Sequence, residues 1–207
     1  MNKMALAVVG AVMLMGLGIV TAAKWQRPSP PVLATSFIFP EARPLAPFHL
    51  ADQHGQVFDN SRLLGHWSLM FIGFTSCPDV CPTTMGKLAA AYDGMNAKAP
   101  LQVVFVSVDP ERDTQAKLAS YIEFFNPEFV AATGPHSDLY PLTRQLGMIY
   151  SMVGEGDSYT IDHSASMVLI DPEGRKVAVV KPRSDGQSLP QIRLSEMVSD
   201  IQAIQQL

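Results

Sequence analysis

The chain of 207 residues contains only two cysteines. That excludes a disulfide-rich scaffold, which needs several bridges, and a zinc framework, which needs two Cys-x-x-Cys pairs or their histidine equivalents. Basic residues are also few. There are 15 Lys+Arg against 19 Asp+Glu, a formal net charge of −4, and the basic residues are scattered. A nucleic-acid partner calls for positive charge concentrated on one face, so none is expected. Internal repeats and low-complexity tracts are missing. What remains is a chain with 47% hydrophobic residues, enough to build a core and too many for disorder. Its length suits one domain with additions.

One long run carries no charge: residues 4–23, MALAVVGAVMLMGLGIVTAA, between Lys3 and Lys24. A helix rising 1.5 Å per residue would make it roughly 30 Å long, the thickness of a bilayer's hydrocarbon core. Thr21-Ala22-Ala23 has the small residues of a cleavage site, but the run exceeds the usual apolar core of a signal peptide. Residues 1–24 are therefore expected to form an uncleaved signal-anchor, one transmembrane helix. Flanking charges do not fix its orientation. The simplest arrangement is a bacterial inner membrane with the soluble domain in the periplasm. Residues 25–40 include RPSPPVLAT, read as a Pro-rich linker, and a folded domain is expected over 41–207.

Within that domain, strand and helix patterns alternate. Residues 48–50 and 56–59 flank DQHG and predict a small N-terminal β-hairpin. The apolar runs WSLMFIGF (67–74) and LQVVFVSV (101–108) read as strands buried on both faces. Helices are expected over 82–97, from Asp113 or Thr114 to Phe125, over 137–146 before Gly147, and from about 189 to 204. Residues 128–132 suggest a short strand. Segments 148–153 and 159–161 bracket the turn GEGD, and 166–170 with 176–180 suggest a terminal hairpin around DPEGR. The pattern predicts an α/β fold, a central mixed β-sheet flanked by helices.

Both cysteines fall in FTSCPDVCPTT, where the first central strand meets the next helix, the edge at which open α/β sheets bind ligands. A proline follows each of Cys77 and Cys81 and disfavours helical dihedrals before it, so both cysteines are expected to be extended. Cys81 then falls at the helix N-cap with Pro82 at the first helical position, where the positive helix end lowers a thiol pKa. That chemistry serves a redox couple and a metal site equally. A structural staple is the weakest option, because so short a loop removes little unfolded-state entropy. Soft thiolates select Cu(I), and two of them with one imidazole make a three-coordinate site. Taken alone, His163 reads as structural. His49, His54, His66 and His136 read as surface residues, and Met85, Met148, Met152 and Met167 mostly as core.

Three segments in order, FIGFTSCPDVCPTTM, VFVSVDPERDT and YTIDHSASMVLIDPEGR, resemble the Sco/SenC family of membrane-anchored copper proteins. The likeness runs from about Pro47 to the final helix and implies a thioredoxin-like fold. It implies copper, as Cu(I), Cu(II) or both, one ion per monomer, on Cys77, Cys81 and His163. It further implies that Asp162 orients the imidazole from behind, and that Asp109 and Asp113 either support the site or serve only as caps and turns. The implied partner is the copper A subunit of cytochrome c oxidase, reached by copper delivery or by reduction of that centre's thiols, with other periplasmic copper carriers as further partners. The alternative is a metal-free thiol-disulfide oxidoreductase using Cys77 and Cys81.

Overall fold

The computed structural model describes residues 31–154, 156–182 and 192–207. The expected membrane anchor over 4–23 lies outside the described residues. Among the described residues, no helix is long and apolar enough to cross a membrane. One compact unit runs Leu33–Leu207.

Two strands form its centre. β4 (Trp67–Gly73) and β5 (Leu101–Ser107) pair in parallel from Trp67↔Leu101 to Gly73↔Ser107. Leu69, Met70, Phe71, Ile72 and Val103 through Val106 are all fully buried. Near-continuous apolar strands of this kind need cover on both faces, which helices supply. β6 (Val130–Thr133) extends the parallel part. The sheet order is β1-β10-β9-β4-β5-β6-β2-β3. Here β1 is Ser36–Pro44, β2 His49–Asp52, β3 Val57–Asp59, β9 Met167–Ile170 and β10 Arg175–Val180. The expected hairpins appear as β2–β3 and β9–β10, both antiparallel. β7 (Tyr150–Val153) and β8 (Thr160–His163) form a separate two-stranded sheet. The helices are α1 (Val80–Asn96), α2 (Gln115–Phe125), α3 (His136–Leu146) and α4 (Leu194–Ile204). This is the expected mixed sheet with flanking helices.

Three expectations need correction. The linker expected up to residue 40 overlaps β1, which begins at Ser36 because it gains a partner in β10, a long-range pairing that local composition hides. The first helix begins at Val80 with Asp79 as its cap, so Cys81 lies inside the first turn and not at the cap. Pro82 is tolerated there because the first N–H groups of a helix have no intrahelical partner to lose. The last helix starts at Leu194; residues 183–191 are outside the described residues.

The chain enters the domain through a buried acid. Asp200 of α4 accepts hydrogen bonds from the backbone N–H groups of Ala34 (2.9 Å), Thr35 (2.7 Å) and Ser36 (2.8 Å) and from Thr35 Oγ1 (2.9 Å). Burial alone would raise its pKa, but these donors outweigh it and hold the carboxyl below the usual aspartate value. A depressed native pKa means that the stabilisation is complete above the unfolded value near 3.9 and is lost as pH falls through the native one. Asp200→Ala leaves several buried donors without a partner and is expected to cost about 2–4 kcal/mol at pH 7. Urea unfolding at pH 7 and pH 3 checks this: the gap between Asp200→Asn and wild type should narrow at the lower pH.

Candidate metal centre

The carboxyl end of β4 leads into Phe74, Thr75, Ser76 and Cys77, and Cys81 follows in the first turn of α1. Cys77 is half-buried and Cys81 is buried; neither is in a disulfide. The approach is close enough to require glycine at the strand end. A Cβ at Gly73 would lie 2.8 Å from Cys81 Sγ and 2.8 Å from the Phe105 ring. Across the gap stands His163, the last residue of β8, 82 positions from Cys81, with its Nε2 3.3 Å from Cys81 Sγ. One ligand atom from each of Cys77, Cys81 and His163 lies within 4.8 Å of the others, the one such cluster among the described residues.

The imidazole is oriented from behind, but not by Asp162. His163 Nδ1 lies 3.1 Å from the Ser164 carbonyl, which can only accept, so Nδ1 carries the proton and Nε2 presents its lone pair to the sulfurs. Asp162 is exposed and sits on the opposite face of β8, because successive strand residues alternate. Phe71 and Phe74 meet the imidazole edge-on, each at 6.1 Å between ring centroids.

The other two acids position the halves of the site. Asp113 is fully buried and binds the cysteine loop: Thr75 N–H and Oγ1 donate to it at 2.9 and 2.6 Å, and Ser107 Oγ at 2.7 Å. Lys117 adds an ion pair at 3.4 Å and bonds Ser76 Oγ at 2.8 Å. Asp109, also fully buried, binds the histidine hairpin through Tyr159 Oη at 2.5 Å. Arg112 closes this clamp. Its Nε bonds Asp109 at 2.6 Å, its Nη1 bonds the Tyr159 carbonyl at 2.9 Å, and its guanidinium lies 3.7 Å from the Tyr159 ring centroid. A second brace reaches the same hairpin, since His136 Nδ1 lies 2.7 Å from Tyr150 Oη and its Nε2 3.3 Å from Glu111. His136 is thus half-buried and engaged, not the surface residue that its Gly-Pro neighbours suggest. Met85, Met148 and Met167 are core as expected, while Met152 is exposed.

The two thiols are electrostatically unequal. Cys77 is pulled down to about 5, first because the Cys81 thiol donates to it; burial opposes this, and the backbone N–H groups of Cys81 and Asp79 and the nearby His163 assist. Cys81 is pushed up, because it supplies that proton and is enclosed. At neutral pH the pair therefore holds one thiolate and one shared proton.

A family model described as SCO1/SenC matches residues 40–197. The chain belongs to the SCO1/SenC family. It is 40% identical over 133 residues to the SCO2-like protein RP587 of Rickettsia prowazekii, covering 62% of this chain and 65% of that protein. The chain thus spans somewhat less than two thirds of that relative's length. Among solved structures it resembles Arabidopsis thaliana ScoI with copper bound, with TM-score 0.68 and 32% identity over 78% of this chain and 98% of the other. Yeast Sco1 with copper bound gives TM-score 0.65 and 31% identity over 77% and 86%. The SCO1/SenC match spans β4, the Asp109–Asp113 turn and the β7–β8 hairpin, all the segments that build the site.

Sequence reasoning missed Gly73, Arg112, Tyr159 and Ser164. The glycine at the end of an apolar strand, just before the cysteines, was a readable signal of close approach. The thiol asymmetry has a direct check. Iodoacetamide should modify Cys77 well before Cys81, with a rate midpoint near pH 5. Cys81→Ala should move that midpoint upward towards the ordinary thiol value, since the main donor is gone.

Proposed function

We propose that this protein carries copper on Cys77, Cys81 and His163 and hands it to the dinuclear copper A centre of cytochrome c oxidase. The observation that carries the reading is the preassembled trio of two sulfurs and one imidazole lone pair within 4.8 Å. The donor set suits the ion: thiolates are soft and select Cu(I), whereas structural zinc takes four tight ligands. Among the described residues no fourth Cys, His or acid joins the cluster. The family match and the copper-bound relatives support the same reading.

Copper is cargo here, so the site must release it as well as hold it. Cys77 is half-exposed, and an incoming ligand of the partner displaces it first; the buried Cys81 lets go last. A Cys77–Cys81 disulfide removes two ligands at once, so thiol oxidation unloads the site. The anchor expected over residues 4–23 would keep the domain beside a membrane-bound oxidase, in the periplasm of a bacterial cell. The half-exposed thiolate of Cys77 favours one second reading, reduction of a disulfide in that partner.

Binding should release protons in a number that the thiol asymmetry sets. Loading Cu(I) at pH 7 is expected to free about one proton from the thiols, because Cys77 is already ionised. Anaerobic calorimetry in two buffers of different ionisation enthalpy counts it. Cys77→Ser, Cys81→Ser and His163→Ala should each weaken copper binding by more than about a hundredfold. Undiminished affinity in His163→Ala would contradict the three-ligand site.

A further inference from the structure

The brace on the histidine arm contains a group that can change its charge. His136 opens α3, and its Nδ1 lies 2.7 Å from Tyr150 Oη. Its Nε2 is buried, makes no hydrogen bond, and has the Glu111 carboxylate 3.3 Å away. The Tyr140 and Tyr150 rings lie 5.5 and 5.7 Å from the imidazole and 4.7 Å from each other. Tyr150 stands directly opposite His163 in the β7–β8 pairing. Contacts therefore run from Glu111 through His136 and Tyr150 to the strand that carries the ligand. Other charged groups near the ring are few. Asp138 follows in the same first turn, and β2, packed against α3, carries His49 and Asp52, the latter paired with Arg62.

A neutral imidazole has one N–H for these two partners. With the proton on Nε2, Nδ1 accepts from the Tyr150 hydroxyl and Glu111 faces an uncharged ring. With it on Nδ1, the Nε2 lone pair faces the carboxylate, which repels it. A second proton, taken from solvent, relieves both cases. Nδ1–H then donates to Tyr150 Oη, Nε2–H pairs with Glu111, and the cation lies within cation–π range of two tyrosine rings. The positive end of α3 opposes the added charge, while Asp138 and Glu111 favour it. Imidazole is the side chain that makes this change between pH 8 and pH 5. We propose that His136 is a proton-operated positioning residue. Its protonated form fastens the histidine arm to the 109–113 turn, and the grip weakens as pH rises. The device needs no ion. Its consequence, firmer holding of copper than an uncharged brace would give at low pH, rests on the copper reading.

The test is hydrogen exchange of the β7 and β8 amides in the full-length, metal-free chain at pH 5.5 and pH 8, corrected for intrinsic rates. Wild type, His136→Gln, Glu111→Gln and the double variant form a cycle. At pH 5.5 the product of the two single losses in protection should exceed the loss in the double variant about threefold. At pH 8 that coupling should vanish. Coupling that is equal at the two pH values, or absent from both, overturns the proposal. Should His136→Gln fail to fold, Glu111→Gln decides alone, since Glu111 is exposed. It should lower protection about threefold at pH 5.5 and leave it unchanged at pH 8; unchanged protection at both overturns the proposal. Release of Cu(I) to a chelator judges the copper reading separately. Glu111→Gln should release faster than wild type at pH 5.5 and equally at pH 8. Altered exchange with equal release at both values leaves the proton-operated brace standing and counts against His163 as a ligand.

Discussion

The geometry of the whole site depends on two buried carboxylates in one tight turn. Asp109 and Asp113 are joined by a backbone hydrogen bond of 2.9 Å, so their side chains cannot drift apart. One grips Thr75, two residues before Cys77, and the other grips Tyr159, four residues before His163. Segments far apart in the chain are thereby set at a fixed separation by a single rigid element. Burying two negative charges would be costly without partners; here Asp113 is met by Thr75, Ser107 and Lys117, and Asp109 by the Tyr159 hydroxyl and Arg112. Truncating either acid would strand those donors, so the turn favours one arrangement strongly over its neighbours.

That rigidity matters because the β7–β8 hairpin does not belong to the main sheet. Its place comes from the Asp109–Arg112–Tyr159 clamp on one side and the Glu111–His136–Tyr150 brace on the other. Three residues of the 109–113 turn, Asp109, Glu111 and Arg112, thus act on the histidine arm, and a fourth, Asp113, acts on the cysteine arm. The cysteines receive a second constraint from β4, whose terminal Gly73 lets Cys81 approach the strand edge. The result is a site already assembled before any ion arrives, which keeps the ordering cost of binding low. Cys77 alone of the two sulfurs keeps an exposed side.

Much of this was readable in the residues, and the failures share a cause. The central strands announced themselves through unbroken apolar runs, and the thiols through their position at a strand-to-helix edge. His163 did not: its sequence neighbourhood looks like any loop histidine, and only the family resemblance pointed to it. Its partners lie 82 positions away, and no local pattern encodes that distance. The same holds for Asp109 and Asp113, which look like turn and cap residues until the fold delivers Tyr159 and Thr75 to them. Asp162 misled because adjacency in a strand means opposite faces; the orienting acceptor is the backbone carbonyl of Ser164. Cys81 misled because the bias of a residue before proline is a preference and not a prohibition, and here the helix begins at Val80 and overrides it.

The central claim is that two thiolates and one imidazole form a single preassembled site for copper. X-ray absorption spectroscopy of the anaerobically loaded Cu(I) protein tests it most directly. The account requires two sulfur scatterers and one imidazole nitrogen in the first shell. A shell of sulfur alone, or one with a single sulfur, would contradict it.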